Sequence, residues 1–121
     1  MLLGDVAFCH DASSLTALQS RGLDLTIVVT DNDGGAIFSF LPQASSLPGD
    51  RFEQLFGTPH GTDIVAVARA FGLRAYDAET AEVLSAAFDE PDTCVVRVPS
   101  DRARNVDVHA ALNGAVVDAL G

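Results

Sequence analysis

Basic residues are scarce in this chain. Seven arginines and no lysine stand against 17 aspartates and glutamates, a formal charge of −10. Binding to duplex nucleic acid or to an anionic membrane needs a basic face, so both roles are excluded. Cysteine is also sparse. Cys9 and Cys94 are too few for a disulfide framework, and both sit in apolar surroundings. Buried free thiols in a reducing cytosol are expected, which places the protein in the cytoplasm. The cysteines lack the paired spacing of a zinc site. No apolar run is long enough to span a bilayer. No basic segment followed by an apolar one opens the sequence, so no secretory leader is expected. Internal repeats and low-complexity tracts are absent. Ser13, Ser14 and Ser39 lack the glycine-flanked setting of a hydrolase nucleophile.

What is present is an alternation of strand-like and helix-like segments. Met1-Leu2-Leu3 reads as the end of a buried strand. Nothing precedes it, so the domain is expected to be N-terminally truncated. Asp11 to Ser14 offer caps for a helix to about Arg21, closed by Gly22. Leu25 to Thr30 is apolar and β-branched, as in a parallel strand covered on both faces. Ala36 to Leu41 fits either one helical turn or an extended piece. Residues 42–62 hold Pro42, Pro48 and Pro59 with Gly49, Gly57 and Gly61, and read as a long irregular loop beside a site. Thr62 or Asp63 caps a helix to about Phe71, and Leu73 to Tyr76 is a short strand. Thr80 to Phe88 is helical, Thr93 to Val98 is a strand, and Asn105 to Leu120 is a helix with Leu112, Val116 and Leu120 at four-residue spacing. The alternation predicts a three-layer α/β/α fold with a mostly parallel sheet.

Two short segments carry chemistry. Gly4-Asp5 follows the first apolar run, and Asp31-Asn32-Asp33-Gly34-Gly35 follows the second, with Asn32 placed 27 positions after Asp5. One strand–helix–strand unit fits that gap. A carboxylate and an amide oxygen then arrive at neighbouring strand ends beside a tight turn, where a hard divalent cation and its attached phosphates can be held. The helix expected after Asp11 would point its N-terminus at the same crevice. Acidic groups repel a diphosphate unless a cation lies between them, so metal and phosphate should bind together.

The Gly-Asp pair and the Asn-containing, Gly-ending turn resemble the thiamine-diphosphate-binding motif. Longer runs narrow the resemblance: Gly4 to Asp11, Leu25 to Val29, Asp33 to Gln43, and Phe52-Glu53-Gln54-Leu55-Phe56-Gly57-Thr58-Pro59-His60. Together they resemble the 2-succinyl-5-enolpyruvyl-6-hydroxy-3-cyclohexene-1-carboxylate synthase family (MenD), closely over residues 3–72 and by element pattern beyond. The resemblance implies that residues 1–121 are the C-terminal part of a thiamine-diphosphate, pyrophosphate-type domain. Asp5, the Asn32 side chain and the Gly34 carbonyl would bind magnesium or manganese, which bridges the cofactor diphosphate. Val6 and Ala7 would place backbone N–H groups near that diphosphate. Ile37 and Phe38, and more loosely Leu41, would wall the pocket by the thiazolium ring and substrate. The implied reaction decarboxylates 2-oxoglutarate and adds the succinyl semialdehyde unit to isochorismate, in menaquinone biosynthesis. No catalytic residue is assigned within this chain. The activating glutamate and most substrate-clamping residues would come from missing N-terminal domains or a second subunit, in a homo-oligomer.

This chain departs from the motif in places. Val6 stands where many thiamine-diphosphate enzymes have glycine, Asp31 where asparagine is common, and Ala36 where glycine is frequent. Read without the resemblance, Asp31 and Asp33 are solvated or supporting groups, Ile37 and Phe38 are core, and His60 is a surface histidine. His10 and Asp11 are adjacent and do not face each other, and Asp11 serves as a helix cap. Two other readings stay open: a split subunit of another thiamine-diphosphate-dependent decarboxylase or lyase, and an inactive truncated domain.

Overall fold

A three-residue strand, β1 (Leu2–Gly4), runs directly into a short helix, α1 (Asp5–His10), in the computed structural model, which describes residues 1–121. A 3-10 turn over Ala12–Leu15 leads to α2 (Thr16–Gln19), and Gly22 (φ +57) turns the chain toward β2 (Thr26–Asp31). A second 3-10 turn, Ala36–Phe40, precedes α3 (Gln43–Ser46), α4 (Gly49–Phe52) and a π-helical turn at Glu53–Gly57. The remaining elements are α5 (Ile64–Ala70), β3 (Arg74–Asp77), α6 (Ala81–Ala87), β4 (Cys94–Pro99) and α7 (Arg102–Leu120).

The four strands form one parallel sheet in the order β1-β2-β4-β3. Strand side chains alternate between its faces. Ile27, Val29, Ala75 and Val95 point to one face, against Phe8 of α1, Leu15, and Ile64, Val65 and Ala68 of α5. Cys94 and Val96 point to the other, against Ala87 and Leu84 of α6. The expected three-layer arrangement is therefore present. Both cysteines are free; Cys94 is buried and Cys9 half-buried.

Four local expectations are corrected. The single helix expected from Asp11 to about Arg21 is a 3-10 turn (Ala12–Leu15) followed by α2 (Thr16–Gln19), and a separate helix, α1, precedes it, because burying Phe8 against the sheet outweighs the weak helix propensity of Val6, Cys9 and His10. Asp11 does not cap a backbone N–H; its carboxylate accepts from the Ser14 hydroxyl at 2.6 Å. The stretch 42–62 is not irregular throughout. Pro42 and Pro48 each stand just before a helical turn, where a fixed φ and a missing N–H cost nothing. The expected cap Asp63 accepts from Ala66 N at 2.8 Å, and Thr80, at the start of α6, accepts from Val83 N at 3.4 Å. α7 starts at Arg102, three residues before Asn105, because Asp101 caps it through Arg104 N at 2.7 Å.

On α7, Val108, Leu112, Val116, Val117 and Leu120 are all exposed. No helix is long and apolar enough to cross a membrane. An exposed apolar stripe of this length drives association. Light scattering on the 121-residue chain should show an apparent mass that rises with concentration; a constant monomer mass would contradict this.

Candidate functional site

Parallel pairing puts every strand's C-terminal end along one edge of the sheet, and the chemistry lies there. β1 and β2 are neighbours in a register that sets Gly4 opposite Thr30. Asp5 and the 31–35 turn are thereby brought together. Asp5 is 2% exposed. Its Oδ1 accepts from Val6 N at 2.8 Å; its Oδ2 accepts from Gly34 N at 2.9 Å and Asn32 N at 3.2 Å, and faces His60 Nε2 at 3.2 Å. Burial alone would push the Asp5 carboxyl up. The N–H groups of Gly34 and Val6, followed by the side chains of Asp31 and His60, outweigh it and hold the group below the ordinary value of 3.8.

Asp31 ends β2 and is also buried. Its Oδ1 accepts from Asp33 N at 2.9 Å, and its Oδ2 pairs with Arg97 Nε, while Arg97 Nη1 reaches Asp77 Oδ1 at 2.9 Å. The two carboxylates hold the Arg97 guanidinium charged, above its ordinary value. One arginine on β4 thus ties the ends of β2 and β3 together. Asp33 takes a left-handed conformation (φ +58) and accepts from His60 N at 3.0 Å and Gly61 N at 2.7 Å.

The turn after β2 is wedged against the π-helical turn. Gly35 N donates to Gly57 O at 2.8 Å, and Gly34 sits at φ +129. Phe38 packs edge-on against Phe56 with ring centroids 5.7 Å apart. The Gly34 carbonyl accepts from Ala36 N at 3.0 Å. Asn32 Oδ1 is buried with no hydrogen-bond partner. Such an orphaned acceptor costs about 1–3 kcal/mol unless something positive meets it.

The donor set fits a hard divalent cation. The Asp5 carboxylate is held against the turn by the Asn32 and Gly34 N–H groups, and the orphaned Asn32 amide oxygen belongs to that same turn. Hard cations take such oxygens.

Asp5, Asn32 and Gly34 thus meet through backbone hydrogen bonds to one carboxylate. Val6 and Ala7 lie exposed on the first turn of α1. Ile37 is 75% exposed and Phe38 39%, so neither is core, as their apolar character alone would suggest; the 3-10 turn that carries them projects away from the sheet. Asp31 is a buried ion-pair member rather than a solvated group, because Arg97 reaches it across the strand pair. His60 is 19% exposed and lies against Asp5, not free on the surface, because Asp33 draws its backbone inward. His10 is exposed. The functional residue that pattern reading missed is Arg97. Its signal was a lone charge within the apolar run Cys94 to Val98.

Residues 1–98 match the family model described as thiamine pyrophosphate enzyme, C-terminal TPP binding domain. A 2-succinyl-5-enolpyruvyl-6-hydroxy-3-cyclohexene-1-carboxylate synthase from Myxococcus xanthus is 41% identical over 124 residues, covering 100% of this chain and 21% of that protein. The synthase of the same name from Saccharopolyspora erythraea is 44% identical over 121 residues, covering 98% of this chain and 22% of that protein. The chain therefore spans about a fifth of the length of these curated relatives. Among solved structures, benzoylformate decarboxylase from Polynucleobacter necessarius aligns with a TM-score of 0.63 at 26% identity, over 84% of this chain and 19% of that one.

Proposed function

Since the chain belongs to the thiamine pyrophosphate enzyme C-terminal TPP binding domain family, we propose that it is the diphosphate- and metal-holding part of a synthase of the kind its relatives are named for. In that reading residues 1–121 are one part of the pyrophosphate-type domain of a thiamine-diphosphate-dependent transferase that forms a carbon–carbon bond. The substrates are 2-oxoglutarate, which is decarboxylated, and isochorismate, which receives the succinyl semialdehyde unit. The observation that carries the reading is the buried Asp5 carboxylate beside the unpartnered Asn32 oxygen at adjacent strand ends.

Asp5, the Asn32 side chain and the Gly34 carbonyl would hold magnesium or manganese. Val6 and Ala7 N–H groups would lie toward the diphosphate at the start of α1. The exposed, apolar Ile37 and Phe38 would exclude water from the reacting end. Thiamine diphosphate, when bound, supplies the electron sink for decarboxylation and bond formation. This chain contributes position and charge balance. Catalytic turnover draws on further domains or a second subunit in a homo-oligomer, in keeping with the fifth of the relatives' length spanned here.

Calorimetric titration of thiamine diphosphate, with and without Mg²⁺, tests the reading. Binding should require the cation and be lost on chelation with EDTA. Asn32→Ala should weaken it about tenfold, on the scale of losing one charge-assisted contact. With the remaining domains present, CO₂ release from 2-oxoglutarate should be coupled to consumption of isochorismate. Cofactor binding indifferent to divalent cations would sink the metal assignment, and indifference to isochorismate would sink the substrate assignment.

A further inference from the structure

The four donors around the Asp5 carboxylate are unevenly distributed between its two oxygens in a way the metal reading leaves unexplained. A carboxylate offers about four lone-pair sites, two on each oxygen. Oδ2 faces Asn32 N, Gly34 N and His60 Nε2, whereas Oδ1 accepts from Val6 N alone. Oδ2 is saturated, and Oδ1 retains a free lone pair.

The tautomer of His60 follows from its other nitrogen. Nδ1 accepts from Thr62 N at 3.0 Å and so carries no proton. The neutral ring therefore holds its hydrogen on Nε2 and donates it to Asp5. The ring is fixed from behind. Asp33, on the same turn as Asn32, accepts from both His60 N and Gly61 N. Each of the three segments thus restrains the next: the 31–35 turn holds the His60 backbone, the His60 ring holds Asp5, and Asp5 holds the 31–35 turn.

We propose that His60 is a positioning residue for Asp5: its Nε2–H occupies Oδ2 and turns Oδ1 toward the cation. His60 does not touch the metal. It acts as a hydrogen-bond donor behind a ligand, the arrangement that sets ligand orientation in metal sites. This inference rests on the reading that Asp5 holds the cation.

The test uses Mn²⁺ as the probe, with thiamine diphosphate present, on the intact protein that carries this chain, followed by electron paramagnetic resonance. Two variants separate the two ring nitrogens. His60→Asn can still accept from Thr62 but is too short to reach Asp5. His60→Gln extends far enough to donate to Asp5. His60→Asn should weaken Mn²⁺ binding about tenfold and alter the line shape of bound Mn²⁺. His60→Gln should bind within about threefold of the parent and keep its line shape. If the Asn variant binds as the parent does, or if the Asn and Gln variants are equally impaired, the positioning role is wrong. Thermal melts of both variants separate lost affinity from lost fold. Asp5→Ala distinguishes the two levels of failure. Lost Mn²⁺ binding in that variant with no effect at His60 overturns only the positioning role; retained binding overturns the site itself.

Discussion

Asp5→Ala is expected to weaken Mg²⁺-dependent thiamine diphosphate binding by about a hundredfold or more, and to destabilise the fold by about 3 kcal/mol. The two effects have different origins. The affinity loss comes from removing a charged ligand of the cation. The stability loss comes from leaving Val6 N, Asn32 N, Gly34 N and His60 Nε2 without their acceptor at a buried position. Asp5→Asn separates them, because its amide oxygen still accepts some of these bonds but carries no charge. It should recover part of the stability, measured by urea unfolding, and little of the affinity, measured by calorimetry. Acid dependence supplies an independent check. The folded carboxyl titrates below the 3.8 of an ordinary aspartate. Its contribution to stability is therefore complete above pH 3.8 and lost as pH falls through the lower folded value. The stability difference between the parent and Asp5→Asn should shrink as the pH drops below that range. A difference constant down to complete protonation would show that the Asp5 charge does not stabilise the fold.

Gly34→Ala should be nearly as damaging, for a steric reason. Gly34 sits at φ +129, a conformation L side chains rarely adopt, and an added Cβ would lie 2.2 Å from the Gly57 carbonyl oxygen and 2.9 Å from that of Thr58. Both obstacles are backbone, so neither can swing aside. The turn must move away from the π-helical segment and give up the Gly35 N to Gly57 O bond of 2.8 Å. A cost of about 3 kcal/mol or more is expected, with cofactor affinity falling at least about tenfold because Asn32 and Asp5 share that turn. Gly49→Ala is the control. Its Cβ would meet nothing within 4 Å, so its stability should change by less than about 1 kcal/mol. Equal urea midpoints for Gly34→Ala and the parent would refute the tight approach of the two segments.

Much of the architecture was legible because it is local or periodic. Leu25 to Thr30 and Thr93 to Val98 are continuous apolar runs, the mark of strands covered on both faces, and they are β2 and β4 to within one residue. Asp63 announced its helix through capping chemistry that spans three residues. The break at Gly72 was equally plain, since its φ of +78 suits glycine. α1 was hidden, because what makes Asp5–His10 helical is the burial of Phe8 against strands that lie 19 residues or more away in sequence. The short turns α3 and α4 were hidden among prolines that look like breakers and act as starters.

The sequence by itself determined that strands and helices alternate, that the sheet is parallel, and that Asp5 and Asn32 follow consecutive strands. These follow from hydrophobic runs, glycine turns and spacing, which one stretch of chain carries alone. Only the tertiary structure decided the strand order β1-β2-β4-β3, the reach of Arg97 from β4 to Asp31 and Asp77, and the seat of His60 against Asp5. Those contacts join residues 20 to 66 positions apart. Hydrogen-bond satisfaction and charge pairing among buried groups select them, and neither condition exists until the sheet has assembled.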